Sequence, residues 1–263
     1  MIKKLFEKKV VILLFVSCFW QNNVLFLNKI ALKMNKNIIF LLLIALFVVP
    51  TVSAQTVNEG TPRFRIAVQG GYGYRLGKYQ DTGQSIVDQH NKRLKKGFVY
   101  GADMNWFTAS DMGFGLKYSN MHSKSEDMVT ITYDNGTVES GEYTDMVDLR
   151  FIGPTFASRY VSQDNRCIFL LDFGLGYLSY TDNGRVIHPM SIKGGTLGFC
   201  ADAGVDFRLM NSIYLGATFS MIGGTLSSYN YTENGNTSKV ELEKDHYETL
   251  THVTLTIGFR LYL

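Results

Sequence analysis

The residues that could do chemistry are few and scattered in this sequence. Its five histidines stand apart from one another. His122 is followed by Ser123, and His252 is followed two positions later by Thr254, but neither pair supplies a nucleophile with an oriented base. H-E-x-x-H, G-x-S-x-G and phosphate-loop motifs do not occur. We therefore expect no catalytic, cofactor-binding or metal site.

Cysteine content and charge argue against two further classes of protein, disulfide-built scaffolds and nucleic-acid-binding proteins. Three cysteines in 263 residues exclude a disulfide-built scaffold. Cys167 and Cys200 fall on opposite faces of their predicted strands, so no disulfide between them is expected. Residues 1–54 hold seven of the 26 basic and one of the 23 acidic residues, which leaves 19 basic against 22 acidic groups. The remaining chain is mildly acidic, and nucleic acid is not an expected partner.

The N-terminal segment has the pattern of an export signal. Lys36 precedes an unbroken apolar run over residues 38–49, which is followed by small residues. This pattern predicts a signal peptide over 34–54, cleaved between Ala54 and Gln55. A transmembrane helix is the alternative, although the run is shorter than the roughly 20 residues that a span needs.

The domain boundaries follow from that signal. Met34 stands where a signal peptide would begin, so we interpret residues 1–33 as an upstream start assigned too early. Residues 55–61 are then a short lead, and residues 62–263 form the folded domain.

From Pro62 onward, apolar and polar residues alternate with the period of a β-strand. Phe64, Ile66 and Val68 share one face of the first segment, and Arg65 and Ala67 share the other. The predicted strands cover residues 64–74, 97–106, 113–118, 147–153, 169–177, 197–208, 213–221 and 252–263.

Short and long connections alternate between these eight segments. The connections at 108–111, 161–165 and 210–212 are short turns, whereas those at 77–95, 122–144, 181–194 and 223–247 are long and polar. Tight periplasmic turns and long outer loops are typical of an antiparallel outer-membrane barrel. A soluble lipocalin-like barrel also has eight strands and is the alternative.

The charges of the strands fall opposite the apolar faces. In a membrane barrel the polar face must fit inside, and equal numbers of acids and bases suit a closed lumen. In the fourth strand, the same interpretation sends Val147, Leu149 and Phe151 to the lipid. The predicted lumen charge network consists of Arg65, Asp103, Lys117, Asp148, Arg150, Asp172, Asp202, Asp206, Arg208 and Arg260.

Aromatic residues gather near the predicted strand ends, as they do in interfacial girdles. These residues are Tyr72, Tyr74, Tyr100, Trp106, Tyr118, Tyr160, Tyr177 and Tyr180.

The last residues resemble the C-terminal insertion signal of outer-membrane barrels. Gly258 is followed by the alternating apolar residues Phe259, Leu261 and Leu263, although the chain ends in Leu rather than Phe. Residues 62–263 as a whole resemble the small eight-stranded barrels of the OmpX, OmpA-barrel and opacity-protein group, often described as a porin-family outer membrane β-barrel domain. The resemblance implies a monomeric all-β up-and-down transmembrane barrel in a Gram-negative outer membrane, inserted by the barrel-assembly machinery. It implies no cofactor, and we expect no peptidoglycan-binding domain after the last strand.

The predicted function lies in the long loops. The second loop is acidic and contains a hairpin signal at Asn135-Gly136, which would extend the wall and offer an edge for β-augmentation. The first loop is basic, and could meet lipopolysaccharide phosphates through Lys92, Arg93, Lys95 and Lys96. Solvated loops without a partner are the alternative. A structural or surface-interaction role is favoured over a lipid A deacylase or acyltransferase, a small-solute pore, or a soluble ligand-binding barrel.

Overall fold

The computed structural model divides the chain into two units, Met1–Thr56 and Val57–Leu263. It describes residues 62–77, 85–108, 111–132, 136–186, 188–233, 235–243 and 247–263. The predicted signal peptide, its cleavage site at Ala54 and Gln55, and the lead at 55–61 lie outside these residues.

The described chain is almost entirely β-structure with one helix, α1 (Ser85–Leu94). Within the described ranges, no α-helix has the length and apolar character needed to cross a membrane. The strands are β1 (Phe64–Arg75), β2 (Lys96–Phe107), β3 (Met112–Thr132), β4 (Val138–Val161), β5 (Cys167–Val186), β6 (His188–Arg208), β7 (Ile213–Leu226), β8 (Ser228–Glu233), β9 (Asn236–Glu241), β10 (Glu248–Thr249) and β11 (His252–Tyr262).

Eight of these strands form a closed antiparallel ring, as the alternation predicts. β1 to β7 pair in chain order, and β11 closes the ring by pairing with both β7 and β1. The seam between β11 and β1 places Ile66 opposite Leu261 and Val68 opposite Phe259. Closure leaves the ring without a free edge, which a barrel in a membrane requires.

Inward-facing glycines allow the strands of this seam to approach closely. A Cβ atom on Gly71 would stand 2.0 Å from the carbonyl oxygen of Leu255, and one on Gly258 would stand 2.0 Å from that of Val68. Neither position has room for a side chain unless the neighbouring strand moves.

The apolar faces of the ring point outward. Phe64, Ile66 and Val68 are exposed, whereas Arg65 and Ala67 between them are buried. The same arrangement recurs in β11, where Ile257 and Phe259 are among the exposed residues. An apolar outer surface around an interior that buries charged side chains is the inverse of a soluble barrel, so the lipocalin-like alternative is wrong.

Four strands continue well beyond this apolar belt. β3, β4, β5 and β6 contain 21, 24, 20 and 21 residues, whereas a tilted span needs about 9–11. Most of the predicted loops at 122–144 and 181–194 are therefore strand, and the predicted hairpin is present, with Thr132 opposite Val138 and Gly136 at φ 82°. We call these extensions, together with β8 and β9, the extracellular sheet.

Candidate functional site

The half of the lumen nearer the short turns, here called the lower half, holds a network of ion pairs centred on Asp206. Arg65 Nε donates to Asp206 Oδ2 over 2.9 Å, and the hydroxyl of Tyr262 donates to the same oxygen over 2.7 Å. Arg260 Nε lies 3.3 Å from Asp206 Oδ1, and Arg65 also contacts Asp103. Three strands from different parts of the chain, β1, β6 and β11, are thus tied together inside the barrel.

A second group of charges lies on the neighbouring wall. Lys117 Nζ donates to Asp202 Oδ2 over 2.5 Å and to Ser220 Oγ over 3.1 Å. Asp172 is buried and stands directly opposite Asp202 in the pairing of β5 with β6. Burial of Lys117 and Asp202 is tolerable because the cation and the carboxylate pair across the lumen.

Three of the ten residues predicted for the lumen network lie elsewhere. Asp148 and Arg150 face outward from β4, and the Arg150 side chain is 50% exposed. Arg208 is exposed at the short-turn end of the barrel, beside Asp164 and Arg166. The structure places the other seven, Arg65, Asp103, Lys117, Asp172, Asp202, Asp206 and Arg260, inside the barrel.

The prediction for β4 is wrong because both of its faces carry apolar residues. Val147, Leu149 and Phe151 are buried inside the barrel, whereas Ile152 and Phe156 are exposed on the other face. The predicted phase of this strand rests on Asp148 and Arg150, whose side chains stand above the apolar belt rather than within it. Ile152, Phe156 and Tyr160 lie on the exposed face of β4, and this apolar series indicates the correct phase.

The inward residues of β4 contribute to an apolar cluster that fills the upper lumen. This cluster cannot be predicted from local periodicity, because its members come from six strands, α1 and the segment before β11. We call it the upper cluster; it comprises Leu94, Val99, Met121, Val147, Leu149, Phe151, Leu178, Cys200, Ile222, Leu226 and Leu250.

A polar group on the outer wall marks the upper rim of the apolar belt. Asn120 Nδ2 donates to Tyr100 Oη over 2.8 Å and to Asp148 Oδ1 over 3.1 Å. His122 Nδ1 lies 3.0 Å from the same carboxylate oxygen, and Arg150 Nη2 lies 3.6 Å from Asp148 Oδ2. Tyr100 belongs to the predicted aromatic girdle and is exposed, whereas Tyr180, also predicted there, packs against the upper cluster inside.

The remaining candidates for chemistry are separated from one another. Ser123 is buried and faces the lumen, while its neighbour His122 faces outward, so the two do not combine. His252 is buried, with Nδ1 2.9 Å from the carbonyl oxygen of Leu250. Cys167 and Cys200 are free thiols. The described part of the chain contains no group of three or more histidine, cysteine or acidic residues that could hold a metal ion.

The extracellular mouth is covered by α1, which lies within the connection at 77–95 that was predicted to be a loop. His90 of this helix is completely buried; its Nδ1 lies 2.8 Å from Asp127 Oδ2 and its Nε2 lies 3.0 Å from Asp145 Oδ2. The imidazole stacks on Tyr143, with ring centroids 3.8 Å apart and planes inclined by 13°. The alternation of apolar and polar residues does not predict this helix, because alternation identifies only strands.

Closure of the ring, the apolar outer surface and the ion-paired interior together define an integral β-barrel of the outer membrane. No protein-family model matches the chain, and comparison with curated protein sequences finds no match. Solved structures of similar fold include Neisserial surface protein A (NspA), with a TM-score of 0.49 at 12% identity over 78% of this chain and 100% of that chain.

Two further similar structures are also outer membrane proteins. OprG from Pseudomonas aeruginosa has a TM-score of 0.47 at 10% identity, over 78% of this chain and 99% of that chain. A major outer membrane protein from Thermus thermophilus has a TM-score of 0.47 at 12% identity, over 76% of this chain and 99% of that chain. At these identities the similarity concerns the fold alone.

Proposed function

We propose that this protein is a non-enzymatic, monomeric outer-membrane barrel that presents its extracellular sheet to molecules outside the cell. The observation that carries the proposal is the continuation of four ring strands beyond the apolar belt, most extensively in β4 with its 24 residues. Hydrogen bonding between these strands holds the outer surface in one shape. A surface of fixed shape supports specific recognition better than separate loops do.

The edge of the extracellular sheet supports the same proposal. Among the described strands, β9 pairs only with β8, and its residues Asn236–Glu241 are almost all exposed. A strand with one unpaired edge can accept an extended segment of another protein by β-augmentation. We therefore propose a protein partner that adds a strand to β9.

Outer-membrane lipids are the second class of partner in the proposal. Arg150 is half-exposed at the rim, opposite Asn120 in the pairing of β3 with β4, where its guanidinium can meet the phosphate of a glycolipid headgroup. Arg93, one of the four basic residues expected to make this contact, donates from Nε to Ser125 Oγ over 2.9 Å and also contacts Asp127, so its guanidinium is already paired although the side chain is 44% exposed. The lipid contact is accordingly proposed for the rim rather than for α1.

Two variants test which part of the sheet binds. Replacing residues 128–140 by an Asn-Gly turn shortens the β3–β4 hairpin and leaves Asp127 in place, whereas replacing residues 228–241 by a short turn removes β8 and β9. We expect both variants to keep the unboiled, fast-migrating form in SDS gels and to reach the cell surface at the wild-type level. The second variant is expected to lose adhesion and complement resistance of cells that display the protein.

Unchanged adhesion and complement resistance in both variants would overturn the proposed role. The competing functions have their own readouts. Discrete conductance steps in a planar bilayer would support a small-solute pore, and loss or transfer of acyl chains from added outer-membrane lipids would support a lipid-modifying enzyme.

A further inference from the structure

Helix α1 closes the extracellular mouth by burying one face against the barrel wall. His90 and Leu94, four residues apart, lie on the same face of the helix. Leu94 belongs to the upper cluster, together with Val99 of β2 and Met121 of β3. If α1 left the mouth, this part of the upper cluster would be exposed to water.

The buried imidazole of His90 joins two strands through two carboxylates. Asp127 belongs to β3 and Asp145 to β4, and each accepts a contact from a different ring nitrogen of His90, at 2.8 Å and 3.0 Å. Tyr143 covers one face of the ring. The docked imidazole is buried, so its two ring nitrogens are satisfied by the two carboxylates rather than by water.

The two contacts of His90 require an additional proton among the three side chains. A neutral imidazole has one N–H donor and one acceptor nitrogen, whereas an ionised carboxylate can only accept. Two hydrogen bonds to two carboxylates need an N–H at both nitrogens, or a proton on one of the carboxyl groups. In either case the set formed by His90, Asp127 and Asp145 holds one proton more than a neutral histidine beside two ionised aspartates.

Burial of the carboxyl groups favours retention of this proton. Burial raises the pKa of Asp145, and His90 only partly offsets that rise. Burial also tends to raise the pKa of Asp127, but hydrogen bonds from His90 and Arg93 outweigh it and bring this pKa below its ordinary value. On β5, burial and then Asp145 raise the pKa of Asp182 to about 6, against the influence of Arg75 of β1 and of His90.

We propose that His90, Asp127 and Asp145 form a proton-binding site that holds α1 in the extracellular mouth. The helix is docked while the site carries its proton and is released when the proton is lost. In the released helix the ring is solvated, and a solvated imidazole is neutral above a pKa of about 6.5. Docking therefore takes up one proton at neutral and alkaline pH. The equilibrium constant for docking then falls by up to tenfold for each unit by which the pH rises.

Trypsin cleavage measures this equilibrium in the intact protein. Lys92, Arg93 and Lys95 are cleavage sites within or next to α1, and cleavage of a docked helix requires its release. The protein is reconstituted in lipid vesicles and digested between pH 7 and pH 9.5, with rates divided by the activity of trypsin on a small ester at each pH. Mass spectrometry locates the cuts, and we expect the normalised rate at these sites to rise steeply with pH.

Two variants separate the proton site from a general loosening of the mouth. Asp145→Asn introduces an amide whose N–H can donate to the acceptor nitrogen of a neutral His90, so the helix stays docked and the pH dependence flattens. His122→Gln is the matched control, because His122 also contacts an aspartate, Asp148, but on the outer wall. This control is expected to keep the wild-type pH dependence.

A normalised cleavage rate that does not change with pH would overturn the proposal, as would Asp145→Asn with the wild-type pH dependence. A second measurement does not need that variant to fold. Nitrogen-15 NMR of labelled histidine in the native protein, with the His90 signals assigned by their loss in His90→Gln, reports the protonation of each ring nitrogen. We expect either two protonated nitrogens or one nitrogen hydrogen-bonded to a protonated carboxyl at pH 7; an acceptor nitrogen without a proton partner would contradict the site.

Discussion

Asp206 illustrates how single side chains hold the ring together from within. Its carboxylate accepts from Arg65 and Tyr262 and lies next to Arg260. Removing one partner of a buried ion pair leaves an uncompensated charge, whereas an exposed pair contributes little. The barrel therefore depends on the charges inside it far more than on those at its outer rim.

A pair of substitutions tests that difference. We expect Arg65→Met to lower the free energy of unfolding by about 3–5 kcal/mol, because Asp206 and Asp103 lose a buried cation. Arg150→Met, which removes a half-exposed cation from the outer wall, is expected to change it by less than about 1 kcal/mol. Urea unfolding in lipid vesicles measures both, and equal losses would contradict the placement of the two arginines.

Asp182 predicts a pH dependence of stability. Burial raises its pKa from 3.8 to about 6, so the folded protein binds this proton more tightly than the unfolded chain does. The resulting stabilisation is fully present below about pH 4 and is lost as the pH rises through about 6. Asp182→Asn keeps an acceptor for the Tyr180 hydroxyl and removes the charge.

We therefore expect Asp182→Asn to raise the free energy of unfolding at pH 8 by about 1–2 kcal/mol, and by about half as much at pH 5. Urea unfolding at the two pH values measures the difference. A gain of the same size at both would show that the carboxyl group titrates normally.

At the scale of elements, the seam between β1 and β11 depends on the absence of side chains. Gly71 faces inward against the backbone of Leu255, whereas the neighbouring Gly70 would place a Cβ at ordinary contact distance, 3.5 Å from Phe98. We expect Gly71→Ala to cost roughly 2–3 kcal/mol and Gly70→Ala to stay within about 0.5 kcal/mol. The midpoint of heat-induced loss of the fast-migrating gel form ranks the two, and the reverse order would contradict the register of this seam.

How far the sequence determines each element depends on the contrast between its faces. In β1, charged and small residues alternate with large apolar ones, so the phase can be read directly. In β4, Val147 and Leu149 on one face are as apolar as Ile152 on the other, and two charges above the belt suggested the opposite phase. The extracellular sheet and the docking of α1 depend on pairing between distant segments, which local periodicity does not encode.

At the scale of the whole molecule, the interior has two layers with different chemistry. The upper cluster is apolar and lies beneath α1, and the network around Asp206 and Lys117 is ionic and lies toward the short-turn end. The balance of acids and bases predicted a closed interior, and seven of the ten predicted residues lie in it. The upper cluster could not be predicted, because in the sequence its apolar residues cannot be distinguished from residues that face the lipid.

The outward orientation of the apolar faces is the central claim, and Trp106 reports on it directly. The chain has two tryptophans, so Trp20→Phe leaves Trp106, which is 48% exposed on the outer face of β2, as the sole tryptophan. The measurement is tryptophan fluorescence of this variant in vesicles that contain lipids brominated either near the headgroup or near the chain end. We predict blue-shifted emission that both lipids quench, more strongly with bromine near the headgroup, because Trp106 lies near the short-turn end of its strand. Emission that neither lipid quenches would place the apolar faces inside and contradict the barrel described here.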